Sequence, residues 1–219
     1  MFRIKICGLT NAKDARMVAS SGADAIGLNF YPKSVRYVDS ETAQVILQSL
    51  PKNVRSIGLF VNAEPSEIRH TFDSLKLAAI QLHGDEPPEL LAELGDRPVI
   101  RAFRVGPPGL RPVVEYVDRC KSLHCPPKMV LLDSYKKGEY GGTGNTPEWS
   151  DVKQYHETSI RIPMVLAGGL TPQNVRQAIQ ATNPDAVDTA SGVESSPGQK
   201  EKALVDLFVS AARLGLDSV

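Results

Sequence analysis

Three side chains able to carry protons stand at the ends of short apolar runs. Cys7 closes "KIC", His83 follows "IQL", and Asp133 closes "MVLLD". A free thiol titrates near ~8.5 and a free aspartate near ~3.9, so such a pair could act as base and acid once their surroundings shift both toward neutrality. Partial burial would push the Asp133 carboxyl in that direction. Each residue also has a plainer reading: Cys7 as a small buried hydrophobe, Asp133 as the cap of a turn, His83 as a loop residue satisfied by backbone. What decides between the readings is the company the rest of the chain brings to the same place.

Part of that company is glycine. "LAGGL" holds Gly168 and Gly169, and "ASGVE" holds Ser191 and Gly192. One Gly-Gly pair usually marks only a turn. Two glycine loops after consecutive apolar runs suit an anion, because glycine lets backbone N–H groups approach a phosphate and a short helix start adds its dipole. The loop "NFYPKSVRYV" adds Lys33 and Arg36. These could be two solvated charges, but a guanidinium suits bidentate recognition of a carboxylate better than an ammonium does.

The elements that must position these residues are legible as a rhythm. Apolar runs rich in Val, Ile and Leu recur at 4–7, 25–30, 56–61, 78–82, 99–103, 129–132, 164–167 and 186–188, as expected of strands buried on both faces of a parallel sheet. Helical spacing or helix punctuation fills the intervals at 11–21, 39–49, 65–73, 87–94, 109–121, 151–156, 171–181 and 199–214. Several of these open on a cap followed by proline, as in "AEPSEI", "DEPPEL" and "LTPQNV". "SGADAIG" before the second run and "TNPDAVD" before the last form a weak internal echo. Repeated βα units of this length predict an α/β fold, a single-domain closed (β/α)8 barrel spanning 1–219, with an open doubly wound sheet as the alternative. In a barrel the chemistry belongs just after the strands, where Cys7, Asn29, Asn62, His83, Arg104, Asp133, Gly168, Gly169 and the 188–192 segment all fall.

Composition narrows the partners. The 219 residues hold 25 basic and 25 acidic side chains, which advertises neither a nucleic-acid tether nor an anionic membrane surface. There is no apolar run long enough to span a bilayer and no signal-peptide pattern after Met1, so a cytoplasmic location is expected. The three cysteines argue against a disulfide framework. Cys120 and Cys125 flank His124, but without a second ligand pair no metal site is expected there.

The motifs "KICGLT", "GLFVN", "IQLHGDE", "LLDS", "YGGTG", "LAGGL" and "DTASGVES" stand in order from end to end. In this the chain resembles the phosphoribosylanthranilate isomerases, (β/α)8 enzymes of tryptophan biosynthesis. The resemblance implies an Amadori rearrangement of N-(5-phosphoribosyl)anthranilate to 1-(2-carboxyphenylamino)-1-deoxyribulose 5-phosphate, without cofactor or metal. It implies Cys7 as general base, Asp133 as general acid, Arg36 on the anthranilate carboxylate, and Gly168, Gly169, Ser191 and Gly192 on the phosphate; His83 and Asp188, at strand ends of the same mouth, are expected as further substrate contacts. A stand-alone enzyme, monomer or homodimer, is expected.

Lys5 enters through Cys7. Two residues apart in a strand, both point to one side, so a mouth-facing Cys7 puts Lys5 inside the barrel, where an ammonium needs a partner. Asp188 is the expected one, since the last strand closes against the first, and the charge of Lys5 is expected to favour the Cys7 thiolate. Two places depart from the family pattern: Val35 stands where proline usually precedes the arginine, and the aromatic after "GGTG" is delayed to Trp149. The rivals are another phosphosugar barrel enzyme, an epimerase or synthase, and a non-catalytic phosphate-binding barrel. A metal-dependent epimerase needs His and Asp ligands at several strand ends, and of four histidines only His83 sits at one; a mere binder needs neither Cys7 nor Asp133.

Overall fold

A computed structural model of the chain describes residues 2–106, 109–133 and 149–219. Eight parallel strands, β1 Ile4–Cys7, β2 Ala25–Asn29, β3 Arg55–Phe60, β4 Ala79–Leu82, β5 Val99–Arg104, β6 Met129–Asp133, β7 Met164–Ala167 and β8 Ala186–Thr189, pair in chain order. The ring closes where β8 pairs with β1, so the barrel, not the open sheet, is what the βα rhythm encodes. A helix follows each strand in sequence, from α1 Ala12–Ser20 through α2 Ser40–Gln48, α3 Pro65–Leu75, α4 Pro88–Leu94, α5 Arg111–Ser122, the one-turn α6 Ser150–Lys153 and α7 Val175–Thr182 to α8 Lys202–Leu216.

Because strand side chains alternate, each strand feeds two cores. Ala25, Ile57, Ile100, Ala102, Met129, Leu131, Val165 and Ala186 fill the barrel. Ile4, Ile6, Ile26, Leu28, Ile80, Leu82, Val130 and Leu132 pack instead with the helices. This two-sided burial is why the strands read as continuous apolar runs. The caps do what their types allow: Asn11 Oδ1 accepts from the Asp14 N–H at 2.8 Å, and Asp39 Oδ1 from the Thr42 N–H at 2.8 Å.

The echo of Asp-Ala-aliphatic has a structural meaning. Asp24, just before β2, accepts the backbone N–H groups of Arg3 and Ile4 at the start of β1. Asp185, just before β8, accepts that of Met164 at the start of β7. Each aspartate ties its own strand to the preceding one at the N-terminal face, the end of the barrel that serves stability.

Two expectations need correction. The segment 199–214 does not begin as helix: Glu194–Ser196 (β9) and Gln199–Lys200 (β10) form a small hairpin, and α8 starts at Lys202. Pro197-Gly198 makes the turn, with Gly198 at φ 81°, a left-handed conformation glycine adopts without strain. Likewise the helix expected from Thr171 starts at Val175, because Asn174 Oδ1 accepts the Thr171 N–H and closes a turn around Pro172 first.

Candidate active site

At the C-terminal ends of the strands lies a pocket of about 230 Å³, whose walls include Cys7, Asn29, Arg36, Gln81, His83, Asp133, Gly168, Gly169, Asp188 and Ser191. The fold therefore brings the thiol, the carboxylate, the imidazole and the glycine loops of separate βα units to one place. Gly192, Asn62 and Arg104 do not line it, and Lys33 is exposed, as a solvated charge would be.

β1 supplies Cys7 with Lys5 one layer beneath. The β1–β8 register sets Lys5 beside Asp188, and Lys5 Nζ donates to Asp188 Oδ1 at 3.0 Å, with Lys5 wholly buried and Asp188 6% exposed. The predicted partner is thus in place. Burial alone would lower the Lys5 pKa, but the attraction of Asp188 and Cys7 outweighs it and holds the ammonium above its usual value. Burial pushes the Asp188 carboxyl up, against the pull of Lys5. For Cys7 the expectation is only half met. Lys5 does pull the thiol down, yet burial is the larger effect and Asp188 adds to it, so the thiol sits above its ordinary value. Gly27 makes this cluster possible: a Cβ there would lie 2.5 Å from Cys7 Sγ and 3.1 Å from Lys5 Nζ.

Across the mouth, Asp133 Oδ2 stands 3.7 Å from His83 Nε2. His83 Nδ1 meets Gln81 Nε2 at 3.1 Å. Arg36 is held by a residue the sequence did not flag: its Nε donates to Glu194 Oε1 at 2.8 Å and its Nη2 to Glu194 Oε2, a bidentate grip. Buried Lys200 donates to the same Glu194 Oε1 at 2.6 Å and to the Ala190 carbonyl at 2.9 Å. Val35 is exposed, and Arg36 is held from the hairpin that carries Glu194 and Lys200.

The two glycine loops are tied to each other. Gly168 and Gly169 have φ of 92° and 62°, where any side chain is strained. Ser191 opens a 3-10 turn, Ser191–Val193, and the Thr189 hydroxyl donates to the Leu170 carbonyl at 2.7 Å, tying the loop after β8 to the loop after β7. Gly192 serves this junction from behind: a Cβ there would fall on the Leu170 carbonyl oxygen. Gly192→Ala is expected to cost about 1–3 kcal/mol of stability through overpacking and to weaken inorganic-phosphate binding measured by calorimetry; unchanged binding and melting would show the two loops to be independent.

The sixth loop, including "YGGTG", lies outside the described residues. Trp149 is a 7% exposed core residue beside α6. Among the described residues no group of three or more His, Cys, Asp or Glu gathers as a metal site would require, and no helix is long and apolar enough to cross a membrane.

A closed (β/α)8 barrel with reactive groups from several strand ends at one mouth defines a class, the barrel enzymes. The family model for N-(5'phosphoribosyl)anthranilate (PRA) isomerase matches residues 4–211. The chain is 43% identical over 214 residues to the N-(5'-phosphoribosyl)anthranilate isomerase of Geobacter metallireducens, covering 97% of this chain and 100% of that one. The crystal structure of the Thermotoga maritima phosphoribosyl anthranilate isomerase superposes with a TM-score of 0.85 at 41% identity, over 97% of this chain and 99% of that one. A phosphoribosyl anthranilate isomerase in complex with reduced 1-(o-carboxyphenylamino)-1-deoxyribulose 5-phosphate gives a TM-score of 0.82 at 38% identity, over 97% and 99%. The chain belongs to the PRA isomerase family.

Proposed function

We propose that this protein rearranges N-(5'-phosphoribosyl)anthranilate into 1-(2-carboxyphenylamino)-1-deoxyribulose 5-phosphate, a step of tryptophan biosynthesis, by acid–base chemistry at the pocket between Cys7 and Asp133. The observation that carries this reading is that one small pocket joins a carboxyl group, a thiol and two glycine loops suited to phosphate. Asp133 protonates the ribose ring oxygen and the ring opens to an iminium. That cation acidifies the C2 hydrogen, the Cys7 thiolate removes it, and the resulting enol-amine becomes the amino-ketone.

Arg36, oriented by Glu194, holds the anthranilate carboxylate with the donors that face the pocket. The loops of Gly168, Gly169 and Ser191, with Gly192 behind them, take the phosphate, and His83 and Asp188 contact the sugar. The chain acts as one domain from 1 to 219 in the cytoplasm, as a monomer or homodimer; the Thermotoga maritima relative is described as dimeric.

The test is substrate made in place from anthranilate and phosphoribosyl pyrophosphate with the transferase that joins them. Loss of substrate fluorescence on adding the protein is the expected result, and an inert protein would overturn the assignment.

A further inference from the structure

Gln81 is a pocket residue to which the proposed chemistry gives no task. It is the third residue of β4, turned inward with Ala79 below and His83 above by the two-residue period of the strand, and it is completely buried. Its Nε2 stands 3.1 Å from His83 Nδ1. Its Oε1, equally buried, has no hydrogen-bond partner among the described residues, although the side chain forms part of the pocket wall. A buried amide carbonyl without a donor is a standing cost that a bound ligand can remove.

The chemistry of the ligand follows from what Oε1 can accept. An ionised carboxylate and a phosphate offer acceptors only, so neither end of a phosphoribosyl-anthranilate can satisfy it, and the anthranilate N–H lies beside its own ortho carboxylate. The sugar hydroxyls remain. The nitrogen end has a consequence of its own. An amide N–H donated to Nδ1 requires a lone pair there, which would place the ring proton on Nε2, the atom facing Asp133 Oδ2 at 3.7 Å.

We propose that Gln81 binds a sugar hydroxyl through Oε1 while its Nε2 holds His83 in the tautomer that turns an N–H toward Asp133. The inference rests on the phosphosugar reading above and deepens it. Two measurements test it together: steady-state kinetics with substrate made in place, and long-range nitrogen–proton spectra of protein labelled in its histidines.

Wild-type protein is expected to show His83 protonated on Nε2. Gln81→Met, close in shape but without polar atoms, is expected to lose about tenfold to a hundredfold in kcat/KM and to release His83 into a tautomer mixture. Gln81→Glu, which can only accept when ionised, is expected to move the His83 proton onto Nδ1. Gln81→Met with wild-type kcat/KM overturns the hydroxyl contact. A wild-type His83 protonated on Nδ1 overturns the amide orientation and needs no variant to fold. An inert wild-type protein would instead overturn the phosphosugar reading, which separates the two failures.

Discussion

Asp133→Asn and Cys7→Ser should each lower kcat by about 10²–10⁴-fold, the usual contribution of one positioned acid or base, while KM changes only a few-fold. The two residues end β6 and β1 and line the same pocket. Asparagine keeps the shape of Asp133 without a transferable proton, and serine replaces the thiol with a far weaker acid at nearly the same volume. Because both act on one sugar in consecutive steps, the double variant should fall well short of the product of the two single losses. Steady-state fluorescence kinetics checks this. Wild-type kcat in either single variant would remove that residue from the chemistry while leaving the family assignment untouched.

Lys5→Met should lower stability by roughly 3–5 kcal/mol at pH 7, because it leaves the Asp188 carboxylate inside the barrel with its cation gone. The loss should depend on pH, with a sign that follows from linkage. Burial already pushes Asp188 up, and Lys5 is the main force opposing it. In the variant the folded-state pKa rises further above the unfolded value near ~3.9. Stability is then retained below that unfolded pKa, where Asp188 is protonated in both states, and is lost as pH rises through the folded pKa. Denaturant melts at pH 4 and pH 8 should therefore show a small deficit at the first and a large one at the second; equal deficits would mean that Lys5 contributes packing, not charge. Asp188→Asn added to Lys5→Met should recover much of the loss at pH 8.

The sequence carried the barrel well because each strand is buried twice, and a residue run with no polar side leaves few other homes. It also carried the Lys5–Asp188 pair, since strand alternation and ring closure leave Lys5 few carboxylates to meet. The hairpin was less legible. Pro197-Gly198 announces a turn, but nothing in "SSPGQKEK" tells which lysine folds inward, and only the packed hairpin shows Lys200 buried against Glu194 while Lys202 faces solvent. Gln81 was hidden by its neighbours: in "AIQL" it looks like a polar break in an apolar strand, although its spacing of two from His83 already placed both side chains on one face. The motif around Gly192 pointed to a phosphate loop, but the close approach of the Leu170 carbonyl that bars a side chain there is a tertiary fact.

The account turns on Cys7 being the base, and its thiol is raised above the ordinary value because burial outweighs Lys5. A raised thiol is mostly protonated at neutral pH, so the active fraction should grow as pH rises through its pKa, and kcat/KM reports that pKa in the free enzyme. The measurement is the pH dependence of Cys7 alkylation by iodoacetamide, read by mass spectrometry on the Cys7 peptide, beside the pH dependence of kcat/KM. Cys120 stays silent because burial pushes it up to about 12, and Cys125 falls on a separate peptide. The prediction is one shared midpoint above that of an ordinary thiol, with activity lost in step with alkylation of Cys7. Full activity after complete alkylation of Cys7, or an activity midpoint unrelated to its titration, would contradict the account.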